Sequence, residues 1–104
     1  TLFRSYVGTL QTIDTLVRAV PGALWVPGHG RASHTLPTEQ RALFAGIYET
    51  CVLAVKAGDD EATARRRVLA DPRVAPHATR TLGWESNIGK YVSLAYLEAE
   101  KNNF

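Results

Sequence analysis

The chain has 104 residues, which is room for one small domain and not for two. Its hydrophobic share of 45% beside 21% charged residues is that of an ordinary globular chain, and a net charge of +2 gives no electrostatic case for nucleic acid. Acidic residues flank the single dense basic run, Arg65-Arg66-Arg67, so we interpret that run as a solvated helix face.

Cys51 is the only cysteine, so no disulfide can form within the chain. It lies in an apolar helical pattern, which favours a buried thiol over a nucleophile. No apolar run approaches the ~20 residues that a bilayer-spanning helix needs, and we expect no membrane partner. The sequence begins at Thr1 and contains no Met, which we interpret as the sign of a C-terminal piece of a longer protein.

The first third of the chain predicts a helix followed by a strand. From Phe3 to Val20 apolar residues recur every three or four positions, which predicts an amphipathic helix that ends at Pro21-Gly22. The next apolar run, residues 23–26, predicts a short buried strand, and residues 27–36 predict a loop. Because a lone strand leaves both of its edges unpaired, its partners would come from another segment or another chain.

Two further helices are predicted after the loop. The second begins near Pro37 and ends at Gly58, a residue type suited to the C-terminal cap. The third is capped at its start by Asp59 or Asp60 and is stopped by Asp71-Pro72.

Residues 72–84 predict an irregular stretch, and a fourth helix is predicted from Ser86. We expect Trp84 to anchor the start of this last helix against the rest of the chain. Asn87 and Tyr91 are assigned to packing and hydrogen bonding within the tail, with substrate contact as the alternative.

The candidate functional residue is His29, which lies between Gly28 and Gly30 in the predicted loop. Neutral imidazole is a common protein ligand of Zn²⁺, and flanking glycines allow a neighbouring loop to approach closely. From the chemistry of these residues alone, His29 could be either a metal ligand or an ordinary surface histidine. His34, in the same loop, either lines the mouth of such a site or is a solvent-exposed histidine, and His77 is interpreted as an ordinary polar residue.

The segment "YVGTLQTIDTLV", followed by an apolar run and "VPGHG", resembles the late part of the metallo-β-lactamase superfamily of zinc hydrolases. The later segments "FAGIYETCVLAVKAG" and "NIGKYVSLAYLEAE" resemble a helical extension found in many bacterial members. The resemblance spans nearly the whole chain and implies an α/β parent, an αββα sandwich. This chain would be its mostly helical C-terminal piece, with about four helices and one short strand. Residues 1–36 would be the last helix-strand-loop of the sandwich and residues 37–104 the helical extension.

By this resemblance His29 is a ligand of the second of two zinc ions in the complete protein, with Gly28, Gly30 and His34 at the active-site mouth. The family's main motif, His-x-His-x-Asp-His, has no counterpart in this chain. Because catalytic zinc takes three protein ligands, we expect the chain alone to bind no zinc and to be inactive. Its implied partners are the N-terminal remainder of the same protein and a small-molecule substrate of undetermined class.

Two alternatives remain open. The chain could be a non-enzymatic helical interaction module in which Pro-Gly-His-Gly is only a turn, or it could form a homodimer by pairing the edges of the strand at 23–26. The three interpretations differ in metal content, in oligomer size, and in whether residues 23–26 form a strand.

Overall fold

The computed structural model describes residues 5–20, 22 and 36–103. These residues form four α-helices and one short 3₁₀ helix, Ala75–Thr79, which lies between the third and fourth α-helices. The α-helices are α1 (Tyr6–Ala19), α2 (Leu36–Lys56), α3 (Glu61–Ala70) and α4 (Trp84–Asn103). The central element is α2, because it packs against each of the other three α-helices.

The predicted fold class is wrong for this part of the chain. Residues 5–20 and 36–103 form a helical fold that contains no strand, in place of a piece of an α/β sandwich. The physical reason is that the apolar stripes of the helices face one another, so their burial needs no sheet. The strand predicted at 23–26, and the loop predicted after it as far as residue 35, lie outside the described residues.

The core is built from one stripe on each of α2, α3 and α4. Fully buried side chains come from all three helices: Ile47, Cys51, Val68, Ile88 and Val92. Each such aliphatic side chain contributes about 1.5–3 kcal/mol when it leaves water. Alanines at 54, 64, 95 and 99 are also fully buried and let the helices approach closely. The burial of Cys51 confirms its assignment to the core.

The helix boundaries confirm most of the local predictions. Gly58 ends α2 with a positive φ of 76°, and the N–H of Asp59 donates to the carbonyl of Ala54 at 2.9 Å, as in a Schellman motif. Of the two candidate caps for α3, Asp60 is the one used, since its carboxylate accepts from the Thr63 N–H at 2.8 Å. Helix α4 begins at Trp84, two residues before the predicted Ser86, and Trp84 is buried.

Helix α1 is attached to the other helices through Tyr6, its only buried residue. The Tyr6 ring stacks on Tyr48 with centroids 5.9 Å apart and meets Phe44 edge-on at 6.0 Å, while its hydroxyl donates to the Tyr91 carbonyl at 2.8 Å. Burial is the main reason that the pKa of the Tyr6 hydroxyl lies well above its usual value.

A carboxylate from α4 completes this attachment by capping α1. The Glu98 carboxylate accepts from the N–H groups of Tyr6 at 2.7 Å and Val7 at 3.2 Å. Ser5, the N-cap residue, accepts from the Gly8 N–H at 2.7 Å. Three N–H groups of the first turn, which have no partner inside the helix, are therefore satisfied. We call this set of contacts around Tyr6 and Glu98 the Tyr6 dock.

A second joint fixes the end of α3 against α2. The Asp71 carboxylate accepts from the Thr50 hydroxyl on α2 and from the backbone N–H and guanidinium of Arg73. The bonds from Arg73 hold the pKa of Asp71 below its usual range. The chain passes so close to Gly46 that an added Cβ there would lie 2.9 Å from Cγ2 of Val74, a fully buried residue.

The close approach at Gly46 predicts opposite effects for two helical glycines. Gly46→Ala forces a side chain against buried Val74, and we expect a loss of about 1–3 kcal/mol in the free energy of unfolding. Gly89→Ala in α4 places its Cβ 3.4 Å from the Arg65 guanidinium, an ordinary contact, so better helix propensity makes it neutral or stabilising by up to about 1 kcal/mol. Urea unfolding of the two variants measures the difference, and equal stabilities would contradict the packing at Gly46.

Candidate functional site

The predicted site residues His29, Gly28, Gly30 and His34 lie outside the described residues. The structure describes instead the two helices that lead into and out of that part of the chain. Helix α1 precedes it and α2 follows it, so the geometry of this helix pair determines where the segment begins and ends.

Helices α1 and α2 run in opposite directions along each other. Tyr6, at the start of α1, packs against Phe44 and Tyr48 of α2, whereas Asp14, further along α1, pairs with Arg41, nearer the start of α2. The chain therefore leaves α1 and enters α2 at the same end of the pair.

The Asp14–Arg41 contact is a two-point ion pair. Arg41 donates from Nε to Asp14 Oδ1 at 2.6 Å and from Nη2 to Asp14 Oδ2 at 3.3 Å. The hydrogen bond from Arg41 lowers the pKa of Asp14 below its ordinary value. The Arg41 side chain is 43% exposed and the Asp14 side chain 39% exposed. An ion pair this exposed to water adds little to the stability of the fold.

His77 is the one histidine among the described residues. It lies in the 3₁₀ helix and is half-buried. Burial, followed by the nearby Arg80 charge, lowers the pKa of its imidazole, and Glu39 in the first turn of α2 partly opposes this shift. The interpretation of His77 as an ordinary polar residue stays a prediction.

The part of the chain that the structure describes does not supply a zinc site. Within it, no group of three or more His, Cys, Asp or Glu side chains is placed to hold a metal ion. Cys51 lies fully buried among the apolar side chains of the core, and this burial raises the pKa of its thiol to about 12.

The remaining residues singled out in the sequence are structural or exposed. Tyr91 takes part in the Tyr6 dock through its backbone carbonyl, and Asn87 is exposed on α4 with its amide near Gly83. The side chains of Arg65, Arg66 and Arg67 are exposed, as their interpretation as a solvated face requires.

An apolar surface on the second half of α1 is not covered by the other described helices. Leu16, Val17 and Val20 are 46%, 39% and 47% exposed. They continue the stripe of which Tyr6 is the buried beginning, at the end of α1 that leads towards His29. We call these three residues the α1 apolar surface.

None of the described helices is both long enough and apolar enough to cross a bilayer. In comparisons with known proteins, no family model, curated protein sequence or solved structure matches the chain.

The pKa of His77 predicts a loss of stability in mildly acidic solution. Because the folded chain lowers this pKa, the unfolded chain binds the proton more readily, so stability is full above about pH 6.5 and decreases as the pH falls towards the folded value. The folded chain also lowers the pKa values of three carboxylates, those of Asp14, Asp60 and Asp71. Their protonation reduces stability only below about pH 4, so it does not contribute in this range.

Urea unfolding at pH 7.5 and pH 5.5 measures this loss for the wild-type chain and for His77→Gln. We expect the difference between the two pH values to shrink in His77→Gln. The same difference in both proteins would show that His77 titrates no differently in the folded and unfolded states.

Proposed function

We propose that this chain is the C-terminal, helical part of a zinc-dependent hydrolase of the metallo-β-lactamase superfamily, and that it contributes one zinc ligand, His29. The observation that carries the proposal is the Pro27-Gly28-His29-Gly30 sequence, set between helices that resemble those of the family. The antiparallel pairing of α1 and α2 supports it, because the two helices hold both ends of this segment at one end of the helical unit.

The α1 apolar surface also supports the proposal. Three aliphatic side chains along one helix stay partly in water in the described structure, where each loses stabilisation that burial would provide. In the proposed hydrolase, the N-terminal remainder of the protein covers this surface. The same contact brings His29 to the other metal ligands of the complete protein, since no group of three or more candidate ligands lies together within the described residues.

The chain has no hydrolytic activity of its own in this proposal. Zinc in such enzymes supplies a Lewis acid that stabilises negative charge as a small-molecule substrate is cleaved. One imidazole cannot hold such an ion, since catalytic zinc sites use three protein ligands. What this chain provides in the proposal is the imidazole of His29, which the sequence sets between two glycines.

The test uses the complete protein from which this chain comes, purified without added chelator. Native mass spectrometry and elemental analysis on the same sample give zinc per molecule for the wild type, His29→Ala and His77→Ala. We expect His29→Ala to lower the content from about two zinc ions to about one, and His77→Ala to leave it unchanged. Unchanged zinc in His29→Ala, or no zinc in the wild type, would contradict the proposal.

A non-enzymatic helical interaction module is the second candidate. It is favoured by the self-contained core, in which α2, α3 and α4 bury their apolar stripes against one another without a further domain. In this case the α1 apolar surface binds a protein partner or a second copy of the chain. Sedimentation of the 104-residue chain distinguishes these two occupants: a dimer that dissociates in Val17→Asp favours a second copy of the chain, and a monomer favours a different protein partner.

A further inference from the structure

We infer that the Asp14–Arg41 ion pair is a clamp that fixes the angle of α1 on α2, and with it the place where the chain leaves α1. The relevance of the clamp to catalysis rests on the proposed function, because the part of the sequence that follows α1 carries His29. The clamp itself is a property of α1 and α2 and can be measured without zinc.

Helix α1 has two points of attachment of very different strength. The Tyr6 dock holds its first turn through a buried ring, a hydroxyl bond to the Tyr91 carbonyl and the Glu98 cap. The Asp14–Arg41 pair is the next polar contact between α1 and α2 along the helix. Between these two points the apolar side chains Leu10 and Ile13 are half-buried.

The length of α1 turns a small tilt into a large displacement. Fourteen residues separate Tyr6 from Val20, which corresponds to about 21 Å along a helix. A tilt of about 10° around the Tyr6 dock therefore moves the end of the helix by about 4 Å. Beyond Asp14 the apolar side chains Leu16, Val17 and Val20 are largely exposed, so packing onto the described helices resists this tilt only weakly.

The geometry of the pair suits a clamp. A guanidinium that contacts both oxygens of one carboxylate fixes direction as well as distance, because its donors lie in one rigid plane. Arg41 also projects from α2, which is held in the core by Ile47 and Cys51. The pair therefore links the second half of α1 to a helix that is packed in the core.

The pair is partly exposed, so its contribution to stability is small. It can still bias the angle of α1, because the packing of the helix beyond Asp14 is also weak. The experiment therefore measures the position of the helix and not only its stability.

Spin labels at two exposed positions, introduced by Ala19→Cys and Thr38→Cys, report the separation of the two helix ends. The native Cys51 is fully buried, and a protein without the added cysteines gives the background labelling. Pulsed electron paramagnetic resonance then gives the distribution of label distances. We expect Arg41→Ala and Asp14→Asn each to shift its mean by about 4 Å or to broaden it by a similar amount.

Arg67→Ala is the matched control. It removes another ion pair, in which the half-exposed Arg67 places Nη1 2.6 Å from Asp59 Oδ2, next to the turn between α2 and α3. We expect it to leave the label distances unchanged. The exchanged pair, Asp14→Arg with Arg41→Asp, restores at least half of the lost order, because the two charges still attract across the same gap.

Label distances in Arg41→Ala and Asp14→Asn that match the wild type, with both variants folded by circular dichroism, would overturn the clamp. So would an equal change in Arg67→Ala. These outcomes are independent of the proposed function, which fails instead if His29→Ala keeps its zinc. A working clamp in a protein without zinc would leave the angle of α1 on α2 established and its catalytic purpose refuted.

Discussion

The burial of Tyr6 is the interaction on which the arrangement of the first helix depends. Tyr6 is the only buried residue of α1, and its ring, hydroxyl and backbone N–H all have partners on α2 or α4. A buried phenol without a hydrogen bond is destabilising, so the Tyr91 carbonyl makes this burial possible. The Glu98 cap then sets which end of α1 faces α4. Together with the Asp14–Arg41 pair, these contacts place α1 antiparallel to α2.

The other helices depend much less on α1. Helices α2, α3 and α4 share a continuous set of buried aliphatic and alanine side chains, and the Asp71 joint ties the end of α3 to α2. The chain thus combines a closed helical core with one helix that is firmly held at its start and exposes the α1 apolar surface at its end. The two proposed functions both assign the α1 apolar surface to a contact with other structure, in a hydrolase or with a partner protein.

Local sequence signals predicted the helices well, because periodicity and caps act over a few residues. Gly58 and Asp60 work as their residue types suggest. The contacts between helices were not predictable in this way: Tyr6 looks like any other apolar-stripe residue, and its partner Glu98 is 92 positions away. The predicted fold class was wrong because the apolar run at 23–26 suggested a strand and therefore a sheet. In the described residues the apolar stripes of the helices pack against one another instead. The candidate site rests on sequence alone, since His29 lies outside the described residues.

Hydrogen exchange at the start of α1 tests the Tyr6 dock most directly. First-turn amides of a helix have no partner inside the helix and normally exchange quickly. The dock predicts that the N–H groups of Tyr6 and Val7 exchange as slowly as core amides of α4, and that Glu98→Ala abolishes this protection while the Val92 amide stays protected. Rapid exchange at Tyr6 and Val7 in the wild-type chain would contradict the dock and, with it, the orientation of α1.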